Sequence, residues 1–380
     1  MMPSKLRLMA FYAVTGLFWF SLYTYVPVLP THARDLGATP VMLGLIVGSY
    51  GFAQMLLRIP FGILSDRLGS RKLFIIIGMA MAFLGAAGLG FSTSGPGLLI
   101  SRFATGVAAS AWVQFTVLYS SYYVKEDTPK AIGYINAICN TGQMTAMLLG
   151  GFAAARLASS PYVMAAAAAV IAFALAFFIH EKRFDKPERS GFKQILSIFS
   201  EKNLLVASGL AIFSQMATFA TVFAFTPVHA ANIGAGSGQL GLLTTLNSLP
   251  SIFASMLAGT LIVPRIGLKK TIFFGFVLTA LSYILIPFTI SLPWLYMLQF
   301  VGGAGRGTVM PLLMGAGIKD VSEKSRASAM GFFQAVYAVG MFAGPVISGA
   351  ISGALGLFAG FWFIGAVSLL AGGLVLFWET

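Results

Sequence analysis

Long apolar segments recur along the whole chain and leave only short connections between most of them. A helix needs about 20 apolar residues to cross a bilayer, and a scan at that length finds twelve candidate spans. They are residues 8–30, 41–64, 73–92, 97–123, 131–157, 161–180, 204–229, 239–263, 271–290, 293–317, 327–350 and 356–378. Charged residues make up only 9% of the chain, whereas soluble domains are about a quarter charged. The pattern predicts an all-α membrane protein with twelve transmembrane helices.

The first apolar segment, 8–30, follows Lys5 and Arg7 and has the outline of a secretory signal. It is longer than the about 7–15 residues of a signal's hydrophobic region, and no clear small-residue cleavage site follows it. We therefore expect it to be retained as the first span.

The basic residues fall mainly on one side of the predicted topology. With the N-terminus placed in the cytoplasm, nineteen of the 24 Lys and Arg lie in cytoplasmic segments, two in outer loops and three within spans. The positive-inside rule then places both termini in the cytoplasm of a plasma-membrane protein. The net charge of +13 follows from this topology and does not indicate a nucleic-acid partner.

The two halves of the sequence repeat each other. Pro27 is echoed by Pro227, an offset of 200, and other matches recur at offsets of 197 and 198. They are Leu36-Gly37 with Ile233-Gly234, Leu43-Gly44 with Leu240-Gly241, Gly62 with Gly259, Arg71-Lys72 with Lys269-Lys270, and Gly133, Gly142 and Gly151 with Gly331, Gly340 and Gly349. The near-constant offset predicts two pseudo-symmetric six-helix bundles, residues 1–180 and 204–380, with a substrate site near the midplane between them.

The longest connection, 181–203, is rich in charge and joins the two predicted bundles. Within it four apolar residues follow helical spacing, namely Phe192, Ile195, Leu196 and Phe199. We predict a cytoplasmic linker whose amphipathic helix lies on the membrane surface. A solvated linker without a helix is the alternative.

The connection between the second and third spans carries the most specific motif. Gly62, Asp66-Arg67, Gly69 and Arg71-Lys72 resemble the loop between helices 2 and 3 of the major facilitator superfamily, whose pattern is G-x-x-x-D-R-x-G-R-R/K-x. Ser70 stands where that family often has another basic residue. An ordinary positively charged cytoplasmic loop is the alternative interpretation.

Two more elements extend the resemblance over the whole chain. The fourth span has an R-x-x-x-G element, and the eleventh has a G-x-x-x-G-P-x-x-x-G element; their residues are Arg102 and Gly106, and Gly340, Gly344, Pro345 and Gly349. In drug/proton antiporters the second element belongs in the fifth span, where this chain has Gly142 and no proline. The departure weakens an antiporter assignment. We interpret the glycines as positions where helices pack closely.

The resemblance also implies a role for the loop as a conformational switch. When the halves close at the cytoplasmic face, Asp66 is expected beside the N-terminus of the eleventh helix, near Ser325, where the helix dipole favours a carboxylate. Arg71 is expected to pair with Glu126 or Asp127. The Asp66→Asn substitution would then shift the balance between access states without abolishing ligand binding, as cysteine accessibility would report.

Three arginines lie at membrane depth, where charges are costly and usually functional. Arg58 is near the cytoplasmic end and is expected to reach the interface in a structural role. Arg102 has either a structural role or a role in coupling. Arg306 lies near the middle of the tenth helix, and the resemblance implies that helices 1, 4, 7 and 10 line the central cavity. Arg306 is therefore our first choice for substrate contact, with a buried structural role as the alternative.

None of the eleven Asp and Glu residues lies in the middle of a predicted span. Proton-coupled carriers commonly hold such a carboxylate, and His32, His180 and His229 lie near span ends. A cavity with arginines and no carboxylate favours anionic or neutral polar solutes. Further candidate contacts are Tyr25, Trp112, Gln114, Tyr119, Gln215, Asn247, Gln334 and Tyr337.

Together these features predict a secondary transporter that moves a small solute by alternating access, with a lean toward efflux. Uptake or exchange of an organic anion or sugar is the alternative, and a non-transporting receptor is a remote one. The chain has no G-x-x-x-x-G-K-[ST] motif and no catalytic set at membrane depth, so we expect neither an enzyme nor a cofactor or metal. The expected partners are the bilayer, a small solute and an unidentified coupling ion, and the expected state is a monomer.

Overall fold

The computed structural model describes residues 5–124, 127–181, 201–321 and 326–378. All regular structure in these residues is helical and forms thirteen segments. They are α1 (Lys5–Tyr23), α2 (Leu29–Asp35), α3 (Pro40–Leu68), α4 (Lys72–Phe91), α5 (Gly95–Ser120), α6 (Thr128–Ala154), α7 (Ser160–Ala176), α8 (Lys202–Asn232), α9 (Ser237–Ile266), α10 (Leu268–Phe288), α11 (Leu292–Ile318), α12 (Arg326–Leu355) and α13 (Leu357–Leu376). The amphipathic helix predicted over 192–199 falls outside the described residues.

Nine helices in the described part of the chain are long and apolar enough to cross a membrane. They coincide with nine of the twelve predicted spans. The other three spans also contain helices, α6, α7 and α11, of which α7 has 17 residues. The all-helical class is confirmed for the described residues, whereas the number of twelve spans is not.

The helices of the two halves pack in the same order. In the first half, α1 contacts α6 and α7, α5 contacts α3 and α4, and α4 contacts α7. In the second half, α8 contacts α12 and α13, α11 contacts α9 and α10, and α10 contacts α13. Most of the contact between the halves comes from two pairs, α3 with α12 and α6 with α9. These two pairs are called the seams below. The packing therefore follows the internal sequence repeat.

Equivalent glycines lie at the two seams. A Cβ atom placed on Gly151 of α6 would come within 2.6 Å of the Gly241 Cα of α9. One placed on Gly349 of α12 would come within 2.5 Å of the Pro40 carbonyl oxygen and 3.3 Å of the Gly44 Cα of α3. The offsets of the repeat relate Gly44 to Gly241 and Gly151 to Gly349. Small residues let helix backbones approach closely where lipid provides no hydrophobic drive.

The glycines predicted to pack helices also lie at close crossings. A Cβ atom on any of them would meet backbone of a neighbouring helix. These contacts are Gly106 with Tyr50, Gly142 with Gly16, Gly340 with Ile212 and Gly344 with Met216, and Pro345 of the same motif lies against Gly44.

The halves approach each other closely at one end of the bundle. There the Arg34 guanidinium donates a 2.8 Å hydrogen bond to the Asn232 side chain. We call this the distal end, and we call the end that carries residues 62–72 the loop end. Toward the loop end, a Cβ atom added at Gly62 or Gly259 would meet nothing within 4 Å. The seams are therefore tight at the distal end.

Candidate substrate-binding cavity

A cavity of about 210 Å³ lies between the two halves at the middle of four helices. It is lined by Asn140, Gln143, Met144 and Met147 of α6, Ser214, Gln215, Thr218 and Phe223 of α8, Ser248, Ser251, Ile252 and Ser255 of α9, and Arg306, Gly307, Met310 and Pro311 of α11. Counted by predicted span, these four helices are the fifth, seventh, eighth and tenth. The family resemblance implied that spans 1, 4, 7 and 10 line the central cavity. Spans 7 and 10 line this cavity, whereas spans 1 and 4 do not.

A run of glycines places Arg306 in the cavity wall. Gly303 and Gly307 lie directly against the backbone of Asn247 and Ser251, so α11 packs on α9 without intervening side chains. Arg306 is the one long side chain in this run. Neighbouring helices occupy both flanking faces, and the Arg306 side chain lines the cavity.

The charge of Arg306 is not neutralised by a carboxylate in the described cavity wall. Its Nε is buried and has no hydrogen-bond partner among the described residues. A cation whose Nε is buried and that has no counter-charge in the described wall is costly, and a bound anion would supply that counter-charge.

Of the ten predicted contacts, Arg306 and Gln215 line the cavity. Arg102 lies instead among α1, α3 and α5 and is 3% exposed. Its guanidinium stacks 4.3 Å from the centre of the Tyr50 ring and donates to the Tyr25 hydroxyl at 3.4 Å. Aromatic faces and hydroxyl groups stabilise this cation within the first half.

Three further predicted contacts lie on α5 and are buried within the first half. Trp112 packs on Trp19 with ring centres 5.1 Å apart, and the Tyr119 and Tyr12 hydroxyl groups are 2.6 Å apart. Gln114 is fully buried. These aromatic pairs occupy the volume that the first and fourth spans were expected to leave for solute, which explains why those helices do not line this cavity.

The last three predicted contacts link helices. The Asn247 side chain donates to the backbone and side-chain oxygens of Gln299, at 3.1 and 3.2 Å, and joins α9 to α11. Arg58 donates across a seam to the Gln334 side chain and the Tyr337 hydroxyl, both at 3.0 Å. Arg58 is only 5% exposed, so the expectation that it reaches the interface is wrong. Its hydrogen bonds hold it inside the protein.

Sequence reasoning missed most of the cavity's hydrogen-bonding wall. These side chains are Asn140, Gln143, Ser214, Thr218, Ser248, Ser251 and Ser255. One signal was present, because the three serines of α9 are spaced i, i+3 and i+7 and therefore share a helix face. Single serines in an apolar helix are otherwise hard to distinguish from packing residues.

The motif between α3 and α4 forms a compact polar network. Asp66 makes an ion pair with Arg71, whose Nη1 also donates to the Ser65 hydroxyl at 2.5 Å. Gly69 ends α3 with a φ of 65°, a left-handed conformation that favours glycine. Burial lowers the pKa of the Arg71 guanidinium, and the negative charge of Glu181 opposes this shift. Arginine remains cationic at neutral pH in any case.

Glu181, which follows α7 at the end of the first half of the sequence, caps the N-terminus of α4. Its carboxylate accepts hydrogen bonds from the backbone N–H groups of Arg71 and Lys72, the second at 2.9 Å. It also accepts from the Ser70 hydroxyl at 2.8 Å. The predicted partner Glu126, and Ser325 beside which Asp66 was expected, lie outside the described residues, so those contacts stay predictions. The alternative partner Asp127 is described and makes no ion pair with Arg71.

Removing the Glu181 carboxylate should destabilise the first half. An N-terminal cap of this kind contributes about 0.5–2 kcal/mol, so we expect Glu181→Ala to lower the unfolding midpoint by a few degrees. Thermal unfolding in detergent measures this. Glu201→Ala is the matched control, because Glu201 precedes α8 without a side-chain capping bond. Equal unfolding midpoints for the two variants would show that the Glu181 cap does not contribute to stability.

Comparison with known proteins agrees with this architecture. The family model described as Major Facilitator Superfamily matches residues 11–230 and 207–380. The quinolone resistance protein NorA of Staphylococcus aureus strain MRSA252 is 33% identical over 207 residues, which is 53% of this chain and 50% of that relative. The match therefore spans about half of that protein.

Two other similarities cover nearly the whole chain. An uncharacterized MFS-type transporter of Methanocaldococcus jannaschii is 25% identical over 341 residues, 87% of this chain and 86% of the relative. The crystal structure of a point mutant of the nucleoside transporter NupG superposes with a TM-score of 0.80 at 15% identity and covers 98% of each chain. That structural similarity shows the fold alone.

Proposed function

Because this chain belongs to the Major Facilitator Superfamily and is a membrane transporter rather than an enzyme, we propose that it carries a small organic anion by alternating access. One observation carries the proposal. Arg306 lines the cavity between the halves, and no carboxylate lies beside it in the described wall.

Electrostatics gives the reason for preferring an anion. Placing a second cation beside Arg306 in a cavity of low dielectric constant is strongly unfavourable. A carboxylate, in contrast, offers the guanidinium two parallel hydrogen bonds as well as a counter-charge. A neutral polar solute gains the hydrogen bonds but not the charge. Anions are therefore expected to bind best and cations worst.

We place the substrate between two six-helix bundles, residues 1–180 and 204–380, joined by the linker 181–203. The repeated packing order and the two equivalent seams support this division. The excess of Lys and Arg supports a cytoplasmic location for the loop end and both termini. With the distal seams tight, the conformation described here would be the one that faces the cytoplasm.

The direction of transport is proposed to be efflux, as the partial match to a quinolone resistance protein suggests. Uptake or exchange of an organic anion or sugar is the second candidate. The cavity favours a small solute, because about 210 Å³ is below the roughly 300–1,000 Å³ typical of sites for drug-sized ligands.

The test is a thermal-shift panel on the purified protein, in which each carboxylate is paired with its amide and its amine counterpart. A ligand at about 100 times its Kd should stabilise the protein by roughly 2.7 kcal/mol. We expect carboxylates to raise the unfolding midpoint more than amides, and amines to have no effect. Stabilising carboxylates should then be transported in proteoliposomes. Stabilisation by the amines in place of the carboxylates would overturn the proposal.

A further inference from the structure

The cavity wall contains more hydrogen-bonding side chains than the binding of a simple anion requires. We propose that the substrate is a hydroxylated monocarboxylate, with one carboxylate for Arg306 and several hydroxyl groups for the neutral wall. This inference rests on the proposed function, because it names the substrate class of the same cavity.

Neutral hydrogen-bonding groups dominate the polar part of the wall. Eight of the lining side chains beside Arg306 are of this kind, namely Asn140, Gln143, Ser214, Gln215, Thr218, Ser248, Ser251 and Ser255. A cavity for an apolar anion would not need such a wall. Binding becomes weaker if a ligand displaces the water from one of these groups without replacing its hydrogen bond.

Part of this wall is already satisfied within the protein. The Thr218 hydroxyl donates to the Ser214 carbonyl at 3.0 Å, and the Ser255 hydroxyl donates to the Ile252 carbonyl at 2.7 Å. The Gln143 amide donates to the Cys139 Sγ at 3.1 Å.

The other polar side chains of the wall are available to hydrogen-bond a solute. Five side chains make no hydrogen bond to another residue in the described ranges, namely Asn140, Ser214, Gln215, Ser248 and Ser251. They come from α6, α8 and α9, so they surround the space in front of Arg306. A solute with several hydroxyl groups can satisfy them from more than one side.

The charge pattern limits the substrate to one negative charge. The described wall contains one cation, Arg306, and no Asp or Glu. A phosphate ester would bring a second negative charge without a second cation to meet it. A zwitterion would bring an ammonium group without a carboxylate to meet it. Both would keep an unpaired charge in the cavity.

The size of the cavity agrees with the dimensions of a sugar acid. About 210 Å³ corresponds to roughly seven water molecules at about 30 Å³ each. A six-carbon hydroxy acid can replace these waters and their hydrogen bonds together. Met144, Met147 and Phe223 provide the apolar faces against which its carbon chain can lie.

The test compares solutes that differ in one property at a time. Gluconate and hexanoate are both six-carbon monocarboxylates, but only gluconate carries hydroxyl groups, and sorbitol carries the hydroxyl groups without the carboxylate. We expect gluconate to bind at least about tenfold more tightly than hexanoate, because unpaired polar groups penalise the apolar analogue. Sorbitol should bind more weakly than gluconate. 6-Phosphogluconate, with its added charges, should also bind more weakly.

A double variant assigns the discrimination to the α9 serines. We expect Ser248→Ala with Ser251→Ala to weaken gluconate binding by about 10- to 100-fold and to leave hexanoate binding unchanged. Thr260→Ala is the matched control, because it removes an exposed hydroxyl from the same helix outside the cavity. The control should leave both affinities unchanged.

The outcomes separate this inference from the proposed function. Equal binding of hexanoate and gluconate, both lost in Arg306→Ala, would overturn the hydroxyl requirement and keep the anion carrier. Tighter binding of 6-phosphogluconate than of gluconate would overturn the limit of one charge. Failure of every carboxylate in the wider panel, with amines binding instead, would overturn the proposed function as well.

Discussion

We expect Arg306→Ala to weaken anion binding strongly and to leave the folded protein at least as stable as the wild type. The substitution removes the one cation of the described cavity wall. Losing one partner of a buried, hydrogen-bonded charge pair costs about 2–5 kcal/mol, which is a factor of roughly 30 to several thousand in Kd. Titration of the purified protein with a stabilising carboxylate, followed by thermal shift or calorimetry, measures the change.

The stability of the ligand-free variant distinguishes a binding role from a structural one. Arg306 has no ion pair or Nε hydrogen bond among the described residues, so removing it eliminates a desolvated charge without leaving a partner unpaired. A structural arginine would instead lower the unfolding midpoint when replaced. Unchanged anion binding together with a lowered midpoint would therefore contradict the assignment.

Two further substitutions complete this experiment. Arg306→Lys keeps the charge but loses the planar fork that matches a carboxylate, so we expect an intermediate affinity. Arg265→Ala removes an exposed arginine from α9 outside the cavity and is the matched control. It should bind the anion as the wild type does.

Gly349→Val should shift the protein away from the conformation described here. The added Cβ would come within 2.5 Å of the Pro40 carbonyl oxygen, and this backbone atom cannot move unless α3 moves away from α12. Overpacking of this kind costs about 1–3 kcal/mol, which corresponds to a population shift of roughly 5- to 150-fold. The distal end should open, and steady-state transport should fall because one of the two access states is no longer readily reached.

Cysteine labelling can detect this opening. Leu240 lies beside Gly241 of the other seam and is 2% exposed, so Leu240→Cys in a Cys139→Ser background gives a buried reporter outside the cavity. We expect a membrane-impermeant maleimide to label this reporter faster in Gly349→Val. The control is Gly331→Val, on the same helix near the loop end, where an added Cβ would meet nothing within 4 Å. Equal labelling rates in the two variants would contradict the predicted role of the seam.

Helices and charge distribution were predictable because they depend on local properties. Each predicted span coincides with a helix, since a long apolar segment in lipid must satisfy its own backbone hydrogen bonds. The repeat offsets also anticipated that Gly44 and Gly241, like Gly151 and Gly349, would be equivalent. The offsets did not predict that Gly151 faces Gly241, or that Gly349 faces Gly44, because pairing across a seam depends on how the halves dock.

The position of Arg306 in the middle of an apolar helix, together with the family resemblance, singled it out, and Arg306 does line the cavity; its role in substrate contact stays a prediction. Depth in the membrane alone did not reveal the structural surroundings of Arg58 and Arg102. Both are buried, and both are stabilised by amide, hydroxyl or aromatic groups from other helices. Partners that come from distant parts of the chain are not visible in the sequence around an arginine.

By itself, the sequence of this protein determined its helical membrane class, its repeated halves, its family and the candidate cation of its site. Only the tertiary structure decided which polar residues face the cavity. Asn247 and Ser248 are adjacent in sequence, yet Asn247 bonds to Gln299 whereas Ser248 lines the cavity. The reason is geometric: successive residues point about 100° apart around a helix, and the docking of neighbouring helices sets which direction opens onto the cavity.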